Sequence, residues 1–392
     1  MTAPNAEGVL VIDETGDRKA GHKTAHVGRQ YLGSVGKIDD GIVSVTSLWA
    51  DTQISYPLDF EPYTPEKYFA KGRNDPAFRT KLQIAFQLVQ EAVAQKWPFR
   101  AVVADSFYGE DRGLRRSFQH LSVSYVMALK PSHTWWHPPG AVGSLKEAAT
   151  TAGWESQTSP GKWRAITRTF RHAEPEQWWV MEVVAGPYGP EQMERVVIAT
   201  TDPSTLPDLT TWYLVTNGSA SGPASAPPRQ LTHEELGKVV GLYGLRQWVQ
   251  QGYKQVKYAL GWAQYQVRSD QAIRRHWQLV CCAFSFCWYH LSHPAPKRSG
   301  EGLEESSEKQ TRPVPPLPAS SAEARKRSSE QGADRPRVSW PTALRMVRAW
   351  LEPWVLLWRY WRAWCKQPPP PVLSHLLEQV GLGHGLFLYE TF

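Results

Sequence analysis

The chain has 392 residues, 41% of them hydrophobic, enough to bury a sizeable core and to divide into two or three domains. Lys and Arg number 44 against 37 Asp and Glu, and the resulting charge of +7 favours polyanionic partners without defining one. The four Cys form no CxxC pair, which argues against a disulfide framework and against structural zinc. The N-terminus has no basic stretch followed by an apolar run, and no segment of about 18 apolar residues occurs, so the expectation is a cytoplasmic, soluble protein with no membrane partner.

In chain order, Val9 to Ile12 reads as a buried strand that delivers Asp13 at its tip, and Ile38 to Trp49 as a second strand after a turn on Gly33 and Gly36. Arg79 to Lys96 carries Leu82, Ala85, Phe86, Val89 and Val93 at helical spacing. The following FRAVVAD is another aliphatic run that ends on an acid, Asp105. Arg112 to Phe118 predicts a short helix and Ser122 to Leu129 a strand, and this alternation marks an α/β core. From Pro131 to Asn217 short strand-like runs alternate with Pro and Gly, the texture of a β-rich module. Gly218 to Arg229 is a flexible connector, Thr232 with Glu235 forms a capping box, and helices are predicted from Glu234 to about Leu260 and from Asp270 to Leu291. Residues 294–337 are rich in Pro, Ser and charge and are expected to be disordered. Beyond them Leu344, Val347, Leu351, Trp354, Trp358, Trp361 and Cys365 draw one apolar stripe on a helix, kinked near Pro353 and expected to dock on the core.

Two acids at the ends of aliphatic strands sit where an α/β sheet meets its ligands, and a close pair of carboxylates is most easily kept where a hard divalent cation compensates the charge. The alternative is that each acid only caps the turn or helix that follows it. The helix LYGLRQWVQQGYKQVKYALGW places Tyr243, Arg246, Gln250 and Lys257 at Y-x2-R-x3-Q-x6-K, all on one broad face. It resembles the signature helix of the DDE insertion-sequence transposases, where Tyr, Arg, a catalytic Glu and Lys stand at these intervals. VLVIDETGDRKAGHKTAHVGRQYLGSVGKID and FRAVVADSFYGED resemble that family's first-acid and second-acid strands. YALGWAQYQVRSDQAIRRHWQLV and WLEPWVLLWRYWRAW continue the likeness, which covers most of the chain outside residues 294–337.

The resemblance implies an α/β fold with an RNase H-like core interrupted by a β-rich insertion and followed by C-terminal helices. The implied division is 1–130 and 230–293 for the two parts of the core, 131–229 for the insertion, 294–337 for the linker and 338–392 for a Trp-rich helical segment. It further implies Asp13 and Asp105 as metal ligands, with position 250 as the third catalytic residue. Mg²⁺ or Mn²⁺ would act in a two-metal site on double-stranded DNA at transposon ends and in the target. Tyr243, Arg246 and Lys257 would grip phosphates, and a homodimer would be compatible with the DNA complex; apart from the resemblance, Arg268 with Arg274, Arg275 and His276 reads either as a basic edge that tracks phosphates or as a solvated helix face.

Two departures qualify this. Position 250 is Gln, and an amide oxygen binds a hard ion more weakly than a carboxylate, so the second ion would bind poorly. Glu234 and Glu235 lie roughly 22 Å away along the helix, and Glu14 points to the opposite strand face from Asp13. Family members also usually carry an N-terminal DNA-end-recognition domain, which this sequence is expected to lack. The readings are therefore a degenerate transposase or a catalytically inactive DNA-binding protein derived from one. Trp135, Trp136, Trp178 and Trp179 are open to two roles, stacking on unpaired bases or filling the insertion's own core.

Overall fold

The computed structural model describes residues 5–137, 141–169, 174–183, 195–218, 230–292 and 339–364. The chain separates into two units, Met1–Phe286 and Cys287–Phe392. The linker expected at 294–337, the connector before Thr232 and Cys365 lie outside the described residues.

The first unit is built on a 10-stranded sheet. Its strands begin with β1 (Val9–Arg18), β2 (Gly28–Leu32), β3 (Lys37–Ala50) and β4 (Ser55–Pro62), which is followed by α1 (Lys81–Ala94) and β5 (Val102–Ala104). Then come α2 (Ser106–Gly109), α3 (Arg112–His120), β6 (Tyr125–Ala128), a small hairpin of β7 (Thr134–His137) and β8 (Ala141–Ser144), and α4 (Leu145–Thr150). Strands β9 (Arg164–Arg168), β10 (Glu176–Val183), β11 (Arg195–Thr200) and β12 (Thr211–Thr216) precede α5 (His233–Gly244), α6 (Gln247–Lys254), a π-helical turn at Gln255–Ala259 and α7 (Asp270–Ser292). The sheet order is β2-β3-β1-β5-β6-β12-β11-β10-β9, with β4 paired to β3. β1, β5 and β6 run parallel at its centre, and this mixed α/β sheet with helices on both faces is the class that the strand-helix alternation predicts.

Side-chain alternation along β1 decides which face each residue serves. Leu10 and Ile12 join Val102, Ala104 and the α1 residues Ile84, Leu88 and Val89 in one core layer. Val9 and Val11 join Val103 and the α5 residues Leu236, Val239 and Val240 in the other. Helix α1 starts where the capping box Thr80–Gln83 satisfies its first free amides, and α5 starts at the capping box Thr232–Glu235 that the sequence predicts.

Three features differ from the sequence expectations. Strand β1 does not stop at Asp13 but runs to Arg18, because β3 pairs with it without interruption from Val9↔Ala50 to Arg18↔Gly41. The strands of the insertion are not a detached module: β12 pairs antiparallel with β6, and β11, β10 and β9 follow, so they extend the central sheet. The long helix is broken at Leu245 and Arg246 into α5 and α6. Trp135, Trp178 and Trp179 are all buried in the two core layers, which removes the base-stacking role left open for them. Arg274 of the expected basic edge is tied to Glu61 and Asp270.

The second unit contains the end of α7 and α8 (Trp340–Trp364), which has Pro353 within it. Its predicted stripe is uneven. Leu344 and Val347 are buried, whereas Leu351 and Trp354 are exposed.

Candidate active site

Parallel pairing of β1 with β5 ends at Ile12↔Ala104, so the next residue on each strand is an acid, Asp13 beside Asp105. Neighbouring strands lie about 4.8 Å apart, and residues in register share a face, so the two carboxylates come together. The face is that of α5 and α6. Glu14 points to the α1 side, where its Oε2 is 2.8 Å from Lys81 Nζ.

Each carboxylate is held on one side by backbone. The Glu14 amide donates to Asp13 Oδ1 (2.8 Å), and the Phe107 amide donates to Asp105 Oδ1 (3.0 Å), so Asp105 is also the N-cap of α2. The capping alternative and the ligand reading are thus compatible, because each acid keeps its other oxygen free of the backbone. Those two oxygens converge on one cation. Arg246 Nη2 lies 2.8 Å from Asp13 Oδ2 and 3.5 Å from Asp105 Oδ2.

Burial disfavours the charged form of Asp13. Although Arg246 pulls the other way, neighbouring Asp105 adds to the upward push, and the carboxyl stands at about 6. For Arg246 burial opposes the charge, but Asp13, Tyr243 and Asp105 together outweigh it and hold the guanidinium above its ordinary value. Behind the pair, the Tyr253 hydroxyl is 2.6 Å from Thr46 Oγ1, and Thr46, directly opposite Asp13 on β3, donates to the Asp13 carbonyl at 3.3 Å. The Tyr108 hydroxyl is wholly buried with no hydrogen-bond partner, and burial together with Glu14, Asp13 and Asp105 holds it in the neutral form.

The remaining predicted residues are placed as follows. Gln250 stands one helical turn beyond Arg246 and three residues before Tyr253, exposed, with its amide bonded to neither acid. Lys257, in the π-helical turn, donates to the Gly16 carbonyl (2.8 Å) and pairs with Asp17 (3.0 Å), farther along the same face of β1 as Asp13. Tyr243 is buried, with its ring edge-on to Trp212 at 5.1 Å. Arg268 is exposed, and its backbone carbonyl accepts from the Ala25 amide (2.9 Å). The roles of Asp17, Thr46 and Tyr253 are absent from the sequence reading. The alternation Asp13, Thr15, Asp17 on one strand face was the available signal for Asp17; nothing local marks the other two.

Among the described residues no three His, Cys, Asp or Glu side chains converge as a ligand set. Asp13 and Asp105 are two carboxylates that could hold a cation here. Arg246 Nη2, a cation in contact with both Oδ2 atoms, marks the point that they share, and carboxylate oxygens are the donors that a hard divalent ion takes.

Residues 2–187 match the family of DDE superfamily endonucleases. That stretch contains Asp13 and Asp105 and ends before Tyr243. A protein of Microchaete diplosiphon described as a probable transposase for insertion sequence element IS701 is 34% identical to this chain over 260 residues, 66% of this chain. The chain spans 60% of that relative's length. No described helix is long and apolar enough to cross a membrane.

Proposed function

We propose that this chain is a DDE transposase whose phosphodiester chemistry on DNA is weakened at its third acid position. The single observation that supports this most is the convergence of the Asp13 and Asp105 carboxylates on the Arg of the Y-x2-R-x3-Q-x6-K segment. The similarity of residues 2–187 to DDE superfamily endonucleases supports it independently.

In this reading Asp13 and Asp105 would hold Mg²⁺ or Mn²⁺ through their carboxylates. When bound, the ion supplies Lewis-acid polarisation of the phosphodiester and a more acidic attacking water or 3′-hydroxyl. The backbone amides of Glu14 and Phe107 and the Tyr253–Thr46 pair orient the carboxylates and the strand that carries them. Arg246 and Lys257 turn to the phosphates flanking the cleaved bond, and exposed Arg268 adds a more distant phosphate contact. Gln250 takes the third catalytic position without its charge.

A second reading is favoured by Gln250 itself, namely a DNA-binding protein that has lost cleavage. Supercoiled plasmid incubated with the protein and Mn²⁺ separates the two. Nicking that disappears in Asp105→Ala is the outcome expected of the transposase, and a mobility shift without nicking belongs to the binder. Neither nicking nor a shift would end both readings.

A further inference from the structure

Arg246 has two claims on it. In the proposed function it grips a phosphate, yet its Nη2 lies 2.8 Å from Asp13 Oδ2 and 3.5 Å from Asp105 Oδ2. These oxygens belong to the carboxylates that the same reading gives to a divalent ion. Coordination of Mg²⁺ at about 2.0–2.1 Å requires those lone pairs, and a guanidinium in contact with them would also repel the dication. The two cations therefore exclude one another.

The geometry points to Arg246 as an exchange residue: it neutralises the acid pair until a DNA phosphate takes its guanidinium, so that DNA binding and divalent-ion binding at Asp13 and Asp105 reinforce each other. This rests on the function proposed above. The energetic logic is linkage. A buried acid beside a half-buried one is costly without a cation, and a mostly buried guanidinium is costly without an anion. If Arg246 leaves alone, both costs appear. If a phosphate receives Arg246 while a metal receives the carboxylates, neither does, and each ligand lowers the cost of binding the other.

Local structure permits the exchange. Arg246 lies in the break between α5 and α6, where its amide donates to the Tyr243 carbonyl (3.0 Å), and its buried Nε has no hydrogen-bond partner, so the two acids leave part of the guanidinium's donor capacity unused. Lys257 offers an internal comparison. It is also held by a carboxylate, but that carboxylate is Asp17, which is not one of the converging pair. Releasing Lys257 frees no metal ligand.

The experiment measures Mn²⁺ binding to the full chain by the electron paramagnetic resonance of free Mn²⁺, with and without a short duplex, corrected by a duplex-only blank. Wild type should bind Mn²⁺ about 5–150-fold more tightly with duplex, and Mn²⁺ should tighten duplex binding by the same factor. Arg246→Gln should bind Mn²⁺ at least ~10-fold more tightly than wild type in the absence of DNA and gain nothing further from duplex. Lys257→Gln should weaken duplex binding and leave DNA-free Mn²⁺ affinity at the wild-type value. Equal DNA-free affinities in wild type and Arg246→Gln, or coupling that survives in Arg246→Gln, would overturn the exchange while leaving the transposase reading intact. Should Arg246→Gln fail to fold, the wild-type reciprocity decides, since Mn²⁺ affinity indifferent to duplex is incompatible with the exchange. Mn²⁺ binding undiminished by Asp13→Asn, or absent altogether, would remove the metal site, and the exchange with it.

Discussion

At position 250 an amide stands where the signature helix of the resembled family has a carboxylate, and the two differ by one negative charge at nearly constant volume. Gln250 is exposed, so a charge placed there meets little desolvation cost, and it lies one turn from the arginine that bridges Asp13 and Asp105. Gln250→Glu should therefore leave the fold unchanged and raise Mn²⁺-dependent nicking by at least ~10²-fold, about 2.8 kcal/mol at about 1.4 kcal/mol per decade. The rate on a pre-nicked oligonucleotide is the quantity to measure. Combination with Asp105→Ala should return it to background, and wild type equal to Gln250→Glu would show that residue 250 is not the third ligand. The two acids were legible in the sequence because each ends an aliphatic run. The Tyr253–Thr46 hydroxyl pair was not, since its partners are 207 residues apart and each looks like an ordinary polar residue in its own segment.

At the scale of elements, helix α2 is only four residues long, yet it positions Asp105 as its N-cap and ends at Gly109 against the backbone of β6. A Cβ on Gly109 would lie 1.9 Å from the Ala128 carbonyl oxygen, a contact that only backbone movement can relieve. Gly109→Ala should destabilise the protein by about 2–4 kcal/mol, readable as a lower midpoint in urea, and should weaken Mn²⁺ binding by displacing Asp105. A midpoint within error of wild type would show that α2 is not fixed against β6. Farther from the site, Glu61 of β4 binds Arg274 of α7 through both carboxylate oxygens (2.6 and 2.9 Å) and Arg79 through Oε1 (2.6 Å). Burial raises the Glu61 carboxyl, but the Arg274 hydrogen bonds and charge, aided by Arg79, bring it below its ordinary value. A depressed carboxyl stabilises the fold above its unfolded pKa, and that contribution fades as pH falls through the lower folded value. Glu61→Gln should thus cost about 1–3 kcal/mol at pH 7, and the difference from wild type should close under acid conditions below the ordinary carboxylate range. A cost independent of pH would mean that shape, not charge, joins β4 to α7. The helical period of α1 was readable, but its buried face is Ile84, Ala85, Leu88, Val89 and Ala92, and Val93 of the expected stripe is exposed. The second half of β1 was not, because Glu14, Thr15, Gly16 and Asp17 are strand only by virtue of the uninterrupted β3 partner.

For the first unit as a whole, the consequential feature is that the central parallel strands and the antiparallel strands after them form one sheet. Local pattern marks residues 163–216 as short strands but carries no information on their partners, which is why a separate module was the natural expectation. The junction is β6 with β12, paired over Val126↔Thr216, Met127↔Val215 and Ala128↔Leu214. Asn217 locks it. Its Oδ1 accepts from the Tyr125 amide (3.0 Å) and its Nδ2 donates to the Val123 carbonyl (2.9 Å), so one side chain closes the ladder where backbone pairing stops. Hydrophobic side chains from both halves, Tyr125 and Met127 with Val196, Ile198 and Val215, fill one core layer, so opening β12 would expose the layer that also supports β1 and β5. The amides of β6 and β12 should therefore exchange with deuterium as a single protected set. Asn217→Ala removes both clamp hydrogen bonds and should cost about 1–3 kcal/mol, accelerating exchange in β6 and β12 together. Asn217→Asp keeps the acceptor for Tyr125, loses the donor to Val123, and should fall between the two. Rapid exchange in β9 to β12 alongside slow exchange in β6 would show the opposite, an appended module that opens without the core. In that case substitutions in β12 would leave Mn²⁺ binding at Asp13 and Asp105 untouched, whereas a continuous sheet transmits their destabilisation to the strands that carry both acids.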